Sequence, residues 1–284
     1  MEAVLTIAGS DSSGGAGIQA DVKTIEAMGL FAECAVTALT AQNTLGVHGV
    51  LDVDPAFVEQ QIDVVFDDIR PDAVKVGMVS SPAIVEAISR ALVRNGARHV
   101  VVDPVMVATS GSALIEGGAV DALVRLLFPL AEVITPNLPE AEALSGIAIA
   151  DEADAERAAR AIAERCRVAA EAFPGGAPGP APAVLVKGGH GLGGPRAADD
   201  LLLACDGRAT WLRGARVDNP NAHGTGCTLS SAIAVNLARG LGVERAVRGA
   251  KGYVTGALEA GLDLGRGSGP LDHMWAYRPT LIQA

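Results

Sequence analysis

Short runs rich in valine and isoleucine alternate along this chain with longer alanine-rich stretches of helical period. That order is what a parallel sheet covered on both faces requires, because crossover helices shield the strands and leave them apolar on consecutive residues. The clearest run, His99-Val100-Val101-Val102-Asp103, is stopped by Pro104, which cannot donate to a sheet ladder. The pattern predicts strands near 2–8, 32–40, 72–77, 99–103, 131–135, 183–187, 199–204 and 209–213. It predicts helices near 15–28, 55–68, 82–95, 117–128, 138–145, 152–172, 225–239 and 243–261. Asp206-Gly207-Arg208 is a turn signal that makes the last two strands a hairpin. The fold class is α/β, with residues 1–284 as one domain and the Pro/Gly-rich stretch 173–182 as a surface loop.

At 284 residues and 49% hydrophobic content the chain can bury a full core. Its 22 Lys and Arg against 33 Asp and Glu give a net charge of −11, which argues against nucleic acid or an anionic membrane as partner. Aromatic residues, at 3%, are too few for base-stacking platforms. Cys34, Cys166, Cys205 and Cys227 lie far apart with no C-x-x-C spacing, so neither disulfides nor structural zinc are expected. No apolar run approaches the roughly 20 residues of a membrane span, and a cytoplasmic protein is expected.

In open parallel sheets ligands bind beyond the carboxyl ends of the strands, so polar residues following apolar runs carry the chemistry. Five such places stand out: Gly9–Asp21, Thr40–Thr44, Asp103, Thr135–Glu140 and Lys187–His190. The first is not a Walker A loop, since no Lys-Ser or Lys-Thr follows its glycines. Gly15-Ala16-Gly17-Ile18-Gln19-Ala20 does match the dinucleotide fingerprint, which raises an NAD-dependent oxidoreductase as an alternative. Against it, the second strand ends in Thr40-Ala41-Gln42-Asn43, without the acidic residue that would hold a ribose.

The strongest signal is His223-Gly224-Thr225-Gly226-Cys227-Thr228-Leu229-Ser230, opening a helix. Its glycines allow bare backbone to approach a ligand, and first-turn amides with the helix dipole make an anion cup that fits a transferred phosphoryl group. A first-turn position also lowers a thiol pKa, so Cys227 is a candidate thiolate; alternatively Thr225 caps the helix and Cys227 fills space. Asn137-Leu138-Pro139-Glu140 reads as a capping box, or as a magnesium-holding pair. Asp103, directly after three valines, needs a partner, and Lys187 puts a cation at another strand end.

Together these pieces resemble the ribokinase-like vitamin kinases, and within them the hydroxymethylpyrimidine/phosphomethylpyrimidine kinases of thiamine biosynthesis. The resemblance is carried by residues 8–21, 37–44, 75–78, 103–111, 135–142, 186–190 and 223–230, and runs from Leu5 to about His273. It implies a three-layer αβα sandwich, commonly a homodimer, that uses ATP and Mg2+, with a monovalent cation also compatible. It implies two phosphorylations of an aminopyrimidine, first on its hydroxymethyl oxygen and then on the monophosphate. By the resemblance Gln42 pairs with the ring, and Asp21, Met78, Gly9 and Val105 line the same pocket. Asn137, Lys187, Thr225, Gly226 and Lys251 fall on the nucleotide side, Asp103 and Glu140 on the metal, and Gly224, Thr225, Gly226 and Cys227 on the anion hole. Cys227 stands where the wider superfamily carries an aspartate base, and as base it would serve the first transfer only. A pyridoxal or pyridoxine kinase shares the Gly-rich start and the anion hole, and differs at the Thr40–Thr44 turn. The loop at 173–182 looks longer than is usual in the family, and Arg266 stands where its tail often has His.

Overall fold

The computed structural model describes residues 1–106, 118–173, 179–189 and 192–278. Among them nine strands form one sheet: β1 (Ala3–Asp11), β2 (Phe31–Asn43), β3 (Gly46–Asp52), β4 (Ala73–Val76), β5 (Val100–Val102), β6 (Val133–Ile134), β7 (Ala183–Val186), β8 (Asp200–Leu203) and β9 (Ala209–Leu212). Their spatial order is β3-β2-β1-β4-β5-β6-β7-β8-β9. The pairs from β2 through β1 and β4 to β7 are parallel. β3 runs antiparallel at one edge, and β8 and β9 antiparallel at the other. The expected hairpin at 200–212 is therefore present.

The helices are α1 (Gly17–Ala27), α2 (Pro55–Asp68), α3 (Pro82–Arg94), α4 (Ala119–Ala122), α5 (Leu138–Ser145), α6 (Glu152–Glu171), α7 (Thr225–Ala238) and α8 (Val243–Glu259). Several starts are written locally: Asp54 accepts from the Ala56 amide ahead of Pro55, and Ser81 from the Ile84 amide ahead of Pro82. A short polar cap followed by proline at the first helical position is a strong start signal, because proline lacks only a donor the first turn does not use.

Alternation along the strands divides the interior in two. Val100 and Val102 join Ile62, Ile88 and Ile162 of α2, α3 and α6 on one face. Val101 joins Ile25, Ile233 and Val247 of α1, α7 and α8 on the other. α7 is buried on every side from Thr228 to Leu237, which explains its lack of a polar stripe.

Three expectations are corrected. β1 and β2 run further than the apolar pattern, so Gly9–Asp11 lie inside β1 and Thr40–Asn43 inside β2, while β4 to β9 stop short of it. β3 carries two glycines and is largely exposed, so only its pairing with β2 makes it a strand. The helix expected over 117–128 is four α-helical residues, then a π turn at Leu123–Leu127 and a 3₁₀ turn at Phe128–Leu130, where Pro129 cannot continue the ladder. His190 and residues 174–178 and 107–117 lie outside the described residues.

Residues 265–273 run back across the carboxyl edge of the sheet. The amides of Arg266 and Gly267 donate to Thr44 Oγ1 at 3.2 Å, and the His223 amide donates to Gly269 O at 3.2 Å. His273 Nε2 lies 3.1 Å from Thr228 Oγ1. No described helix is long and apolar enough to cross a membrane.

Candidate active site

Because β1, β2 and β4 to β7 are parallel, their carboxyl ends open on one edge. Asp11, Gln42, Met78, Asp103, Asn137 and Lys187 stand at or just past those ends, and α7 begins among them. The Gly-rich turn packs against the mouth of α7 so closely that side chains are excluded. A Cβ on Gly224, whose φ is +86°, would lie 2.0 Å from Gly15 O, and one on Gly17 2.3 Å from Gly9 O. No side-chain oxygen caps α7. Thr225, read as one possible cap, is instead the first helical residue, and its hydroxyl donates back to Ala222 O at 3.1 Å. The amides and dipole of the first turn therefore face the edge without a side-chain cap. A Cβ on Gly226 would sit 3.3 Å from Asp103 Oδ2 and 3.4 Å from Lys187 Nζ, which puts both charged groups at the wall of the cup.

On the side of β5 to β7, Asp103 Oδ1 accepts from Lys187 Nζ at 2.7 Å and from Thr135 Oγ1 at 2.9 Å. The Asn137–Glu140 capping box is complete: Asn137 Oδ1 accepts from the Glu140 amide at 2.9 Å, and Glu140 Oε2 from the Asn137 amide at 2.8 Å. Burial raises the Glu140 carboxyl above the usual range, Lys187 draws it down, and Asp103 adds to the rise. Lys187 is pushed down by burial but held above its ordinary value by Asp103 and Glu140. Lys251 donates to Asp200 and to Ala198 O, and Asp200 Oδ1 accepts from the Gly188 amide at 3.0 Å. Lys251 thus buttresses the strand end that bears Lys187 and does not itself enter the cup in this structure.

The side of β1, β2 and β4 carries a second set. A Cβ on Gly9 would stand 3.1 Å from Met78 Sδ, so these two expected pocket residues are neighbours. Val105 follows Asp103 in a tight turn, its amide donating to Asp103 O at 2.8 Å. The Gln42 amide lies between Thr40 and His223, each 3.2 Å away. Asp21 departs from expectation: it is fully buried and accepts from Lys75 Nζ at 2.7 Å, Thr6 Oγ1 at 2.6 Å and Ser231 Oγ at 2.8 Å. It lies beneath the pocket as part of its floor, because a carboxylate so satisfied beside a buried ammonium gains nothing from a neutral ring.

Cys227 requires the clearest correction. Its thiol is pushed up to about 11 by burial, with Lys75 drawing it down and Asp21 and Asp103 pushing it up again. Burial outweighs the Lys75 ammonium, so this surrounding favours the thiol over the thiolate that the first-turn position alone suggests.

Asp11, His223, Lys75 and Thr40 had no assigned role in the sequence reading. Lys75 carried one usable signal, an ammonium inside the apolar strand AVKV that demands a buried anion. Asp11 and His223 meet across 212 residues, which no local pattern discloses. Among the described residues no group of three or more His, Cys, Asp or Glu is gathered as a metal cluster.

The chain is 50% identical over 272 residues to the hydroxymethylpyrimidine/phosphomethylpyrimidine kinase of Rhizobium meliloti, covering 95% of this chain and 96% of that protein. It is 47% identical over 274 residues to a thiamine biosynthesis bifunctional protein of Geobacter sulfurreducens, covering 96% of this chain but 52% of that longer protein, so it spans about half of it. The fold matches the crystal structure of an ADP complex of Bacillus subtilis pyridoxal kinase with a TM-score of 0.85 at 34% identity, over 98% of this chain and 99% of that one. The family model described as phosphomethylpyrimidine kinase matches residues 11–272, which take in both the Gly-rich turn and the mouth of α7, and the chain belongs to that family.

Proposed function

We propose that this chain transfers the γ-phosphoryl group of ATP to the hydroxymethyl oxygen of 4-amino-5-hydroxymethyl-2-methylpyrimidine, and then phosphorylates the monophosphate. The observation that carries this reading is the uncapped first turn of α7, walled by Lys187 and Asp103 on one side and faced by the Gln42 amide on the other. Phosphoryl transfer needs positioning and charge stabilisation more than covalent help, and backbone amides with a nearby ammonium supply both. Gln42 can give an N–H to a ring nitrogen and accept from an exocyclic amine. Asn137, Lys187, Thr225 and Gly226 would bound the phosphates, with Lys251 held behind Lys187.

Asp103 and Glu140 fit a hydrated magnesium ion, since both are buried carboxylates beside one ammonium, and burial together with Asp103 raises the Glu140 carboxyl despite Lys187. Such an ion supplies charge neutralisation to the phosphates.

With its proton held at neutral pH, Cys227 acts in this reading as part of the cup and not as a resting base. Cys227→Ala should then slow both phosphorylations to a similar extent, about tenfold each, as loss of a well-placed wall. A selective loss of the first transfer, measured step by step by chromatography of the products, would instead restore the base role.

The deciding assay measures ATP consumption with the hydroxymethylpyrimidine, its monophosphate, pyridoxal and pyridoxine side by side. Turnover of the pyridines with none of the pyrimidine would overturn the reading. A homodimer and a cytoplasmic location complete the proposal. Exposed Leu39, Val50 and Leu51 on the β2–β3 hairpin support the dimer, and light scattering on the purified chain tests it.

A further inference from the structure

Gln42 is surrounded by groups that decide which way round its amide faces. The oxygen and nitrogen of an amide are alike in shape, so their placement follows from the donors and acceptors around them. Gln42 Nε2 is placed 3.2 Å from His223 Nε2 and Gln42 Oε1 3.2 Å from Thr40 Oγ1, an order that the donors and acceptors around them reverse. His223 Nε2 is also 2.8 Å from Asp11 Oδ2.

Asp11 accepts at both oxygens: from the Ser13 amide at 2.8 Å and Ser13 Oγ at 2.7 Å on Oδ1, and from the Ala16 amide at 2.9 Å on Oδ2 beside His223. Burial opposes the charge, but the bonds from His223, Ser13 and Ala16 hold this carboxyl at about 2, so it is ionised and only accepts. His223 Nε2 must then carry hydrogen, whatever the state of Nδ1. An N–H cannot face an NH₂ group, so the Gln42 atom beside His223 is the oxygen. The far end agrees independently. Thr40 Oγ1 has one hydrogen and two acceptors in reach, Ser10 O at 2.9 Å and Gln42 at 3.2 Å; spent on the shorter bond, it leaves Oγ1 an acceptor that calls for the NH₂. The imidazole is also fixed in place: it is 6% exposed, and a Cβ on Gly15 would lie 2.5 Å from its Cδ2.

We infer that Asp11 and His223 are positioning residues that lock the Gln42 oxygen toward His223 and its NH₂ toward Thr40, and so restrict the site to rings presenting an exocyclic N–H beside an unprotonated ring nitrogen. The inference rests on the reading that Gln42 meets the ring. Each end of the locked amide keeps one unused capacity, a lone pair on oxygen and a hydrogen on nitrogen, in a fixed order. A 4-amino ring supplies the complement. Its 4-oxo analogue carries hydrogen on the ring nitrogen and an acceptor outside the ring, which is the reverse order. A site committed to one order leaves buried polar groups unpaired against the other, and such mismatches cost orders of magnitude in kcat/KM.

The test compares kcat/KM for the 4-amino substrate and its 4-oxo analogue in the unaltered enzyme, His223→Leu, His223→Gln and Gln42→Ala. The unaltered enzyme should favour the amino ring by about 1000-fold or more. His223→Leu frees the amide to turn, so the ratio should drop by about 30-fold or more, through better use of the oxo ring as well as a higher KM for the amino ring. His223→Gln keeps an N–H facing Asp11 and should recover most of the ratio. A ratio kept by His223→Leu but lost in Gln42→Ala overturns the locking alone; a ratio kept by both overturns it together with the reading of Gln42. Should His223→Leu fail to fold, neutron diffraction from the unaltered enzyme decides: two deuterons on the Gln42 atom facing His223 would overturn the inference, and two on the atom facing Thr40 would support it.

Discussion

Lys75–Asp21 and Lys187–Asp103 are both 2.7 Å long, yet the first pair is sealed at 0% exposure on each side chain, whereas the second leaves 16% of its lysine accessible. Asp21 draws two hydroxyls as well as the ammonium, and Lys75, though burial would lower it, is held above its ordinary value by Asp21. Asp103 draws one hydroxyl, and its lysine stands at the wall of the anion cup. The difference teaches that pair geometry alone does not assign a role. A sealed ammonium has nowhere to go and holds up the floor of the site, while one that reaches solvent can exchange its carboxylate for a phosphate oxygen.

Removing one member of a sealed pair strands the other, so Lys75→Met should have the largest effect, a loss of about 3–5 kcal/mol in urea unfolding. Most of that should return in the double variant Lys75→Met with Asp21→Asn, whose amide can still pair with Thr6 and Ser231. A single-variant loss below about 1 kcal/mol would erase the contrast. Lys187→Met should cost less stability than Lys75→Met, about 1–3 kcal/mol, because Asp103 is buried but keeps the Thr135 hydroxyl and stands beside the open end of Lys187. Its cost should appear as a fall of about 100-fold in kcat/KM for ATP, about 2.7 kcal/mol of transition-state stabilisation. A large fall in melting temperature with ATP use intact would reverse the roles assigned to the two lysines.

Glu33 sharpens the comparison as a carboxyl with no ion-pair partner among the described residues. One of its oxygens is buried without a partner, and burial, with Asp68 and Asp72, pushes it up to about 7. The folded value lies above the ordinary 4.5, so the folded chain binds the proton more tightly than the unfolded one. Stability from this group is complete below about pH 4.5 and is lost as pH rises toward 7. Glu33→Gln should therefore raise stability by about 1–2 kcal/mol at pH 8 and by nothing measurable at pH 4, a smaller shift than the full linkage because the side chain is partly solvated. An equal gain at both pH values would show that the charge is not the cause.

What the sequence disclosed follows the range over which each signal acts. Asp54-Pro55, Ser81-Pro82 and Asn137-Leu138-Pro139-Glu140 are starts written within four residues, and those helices begin where they say. Val100–Val102 and Ala183–Val186 announce buried strands by composition alone. β3 announces nothing, because an exposed edge strand with two glycines owes its shape to its neighbour. Asp103 was legible as a carboxylate needing a partner and Lys187 as a cation at a strand end, though not as partners of each other across 84 residues. The first-turn position of Cys227 was legible, whereas the burial that raises its thiol is a property of the whole fold.

The segment that crosses the carboxyl edge has a consequence for how the enzyme comes into being. Thr44 and His223 are fastened by residues 266–269, and Thr228 meets His273, so this edge is closed only by residues that follow every strand and helix named above. A nascent polypeptide halted before that seam could complete every strand and still lack a working catalyst. The mouth of α7 and the tip of β2 are thus tied from outside the sheet, by a seam laid after the strands they belong to.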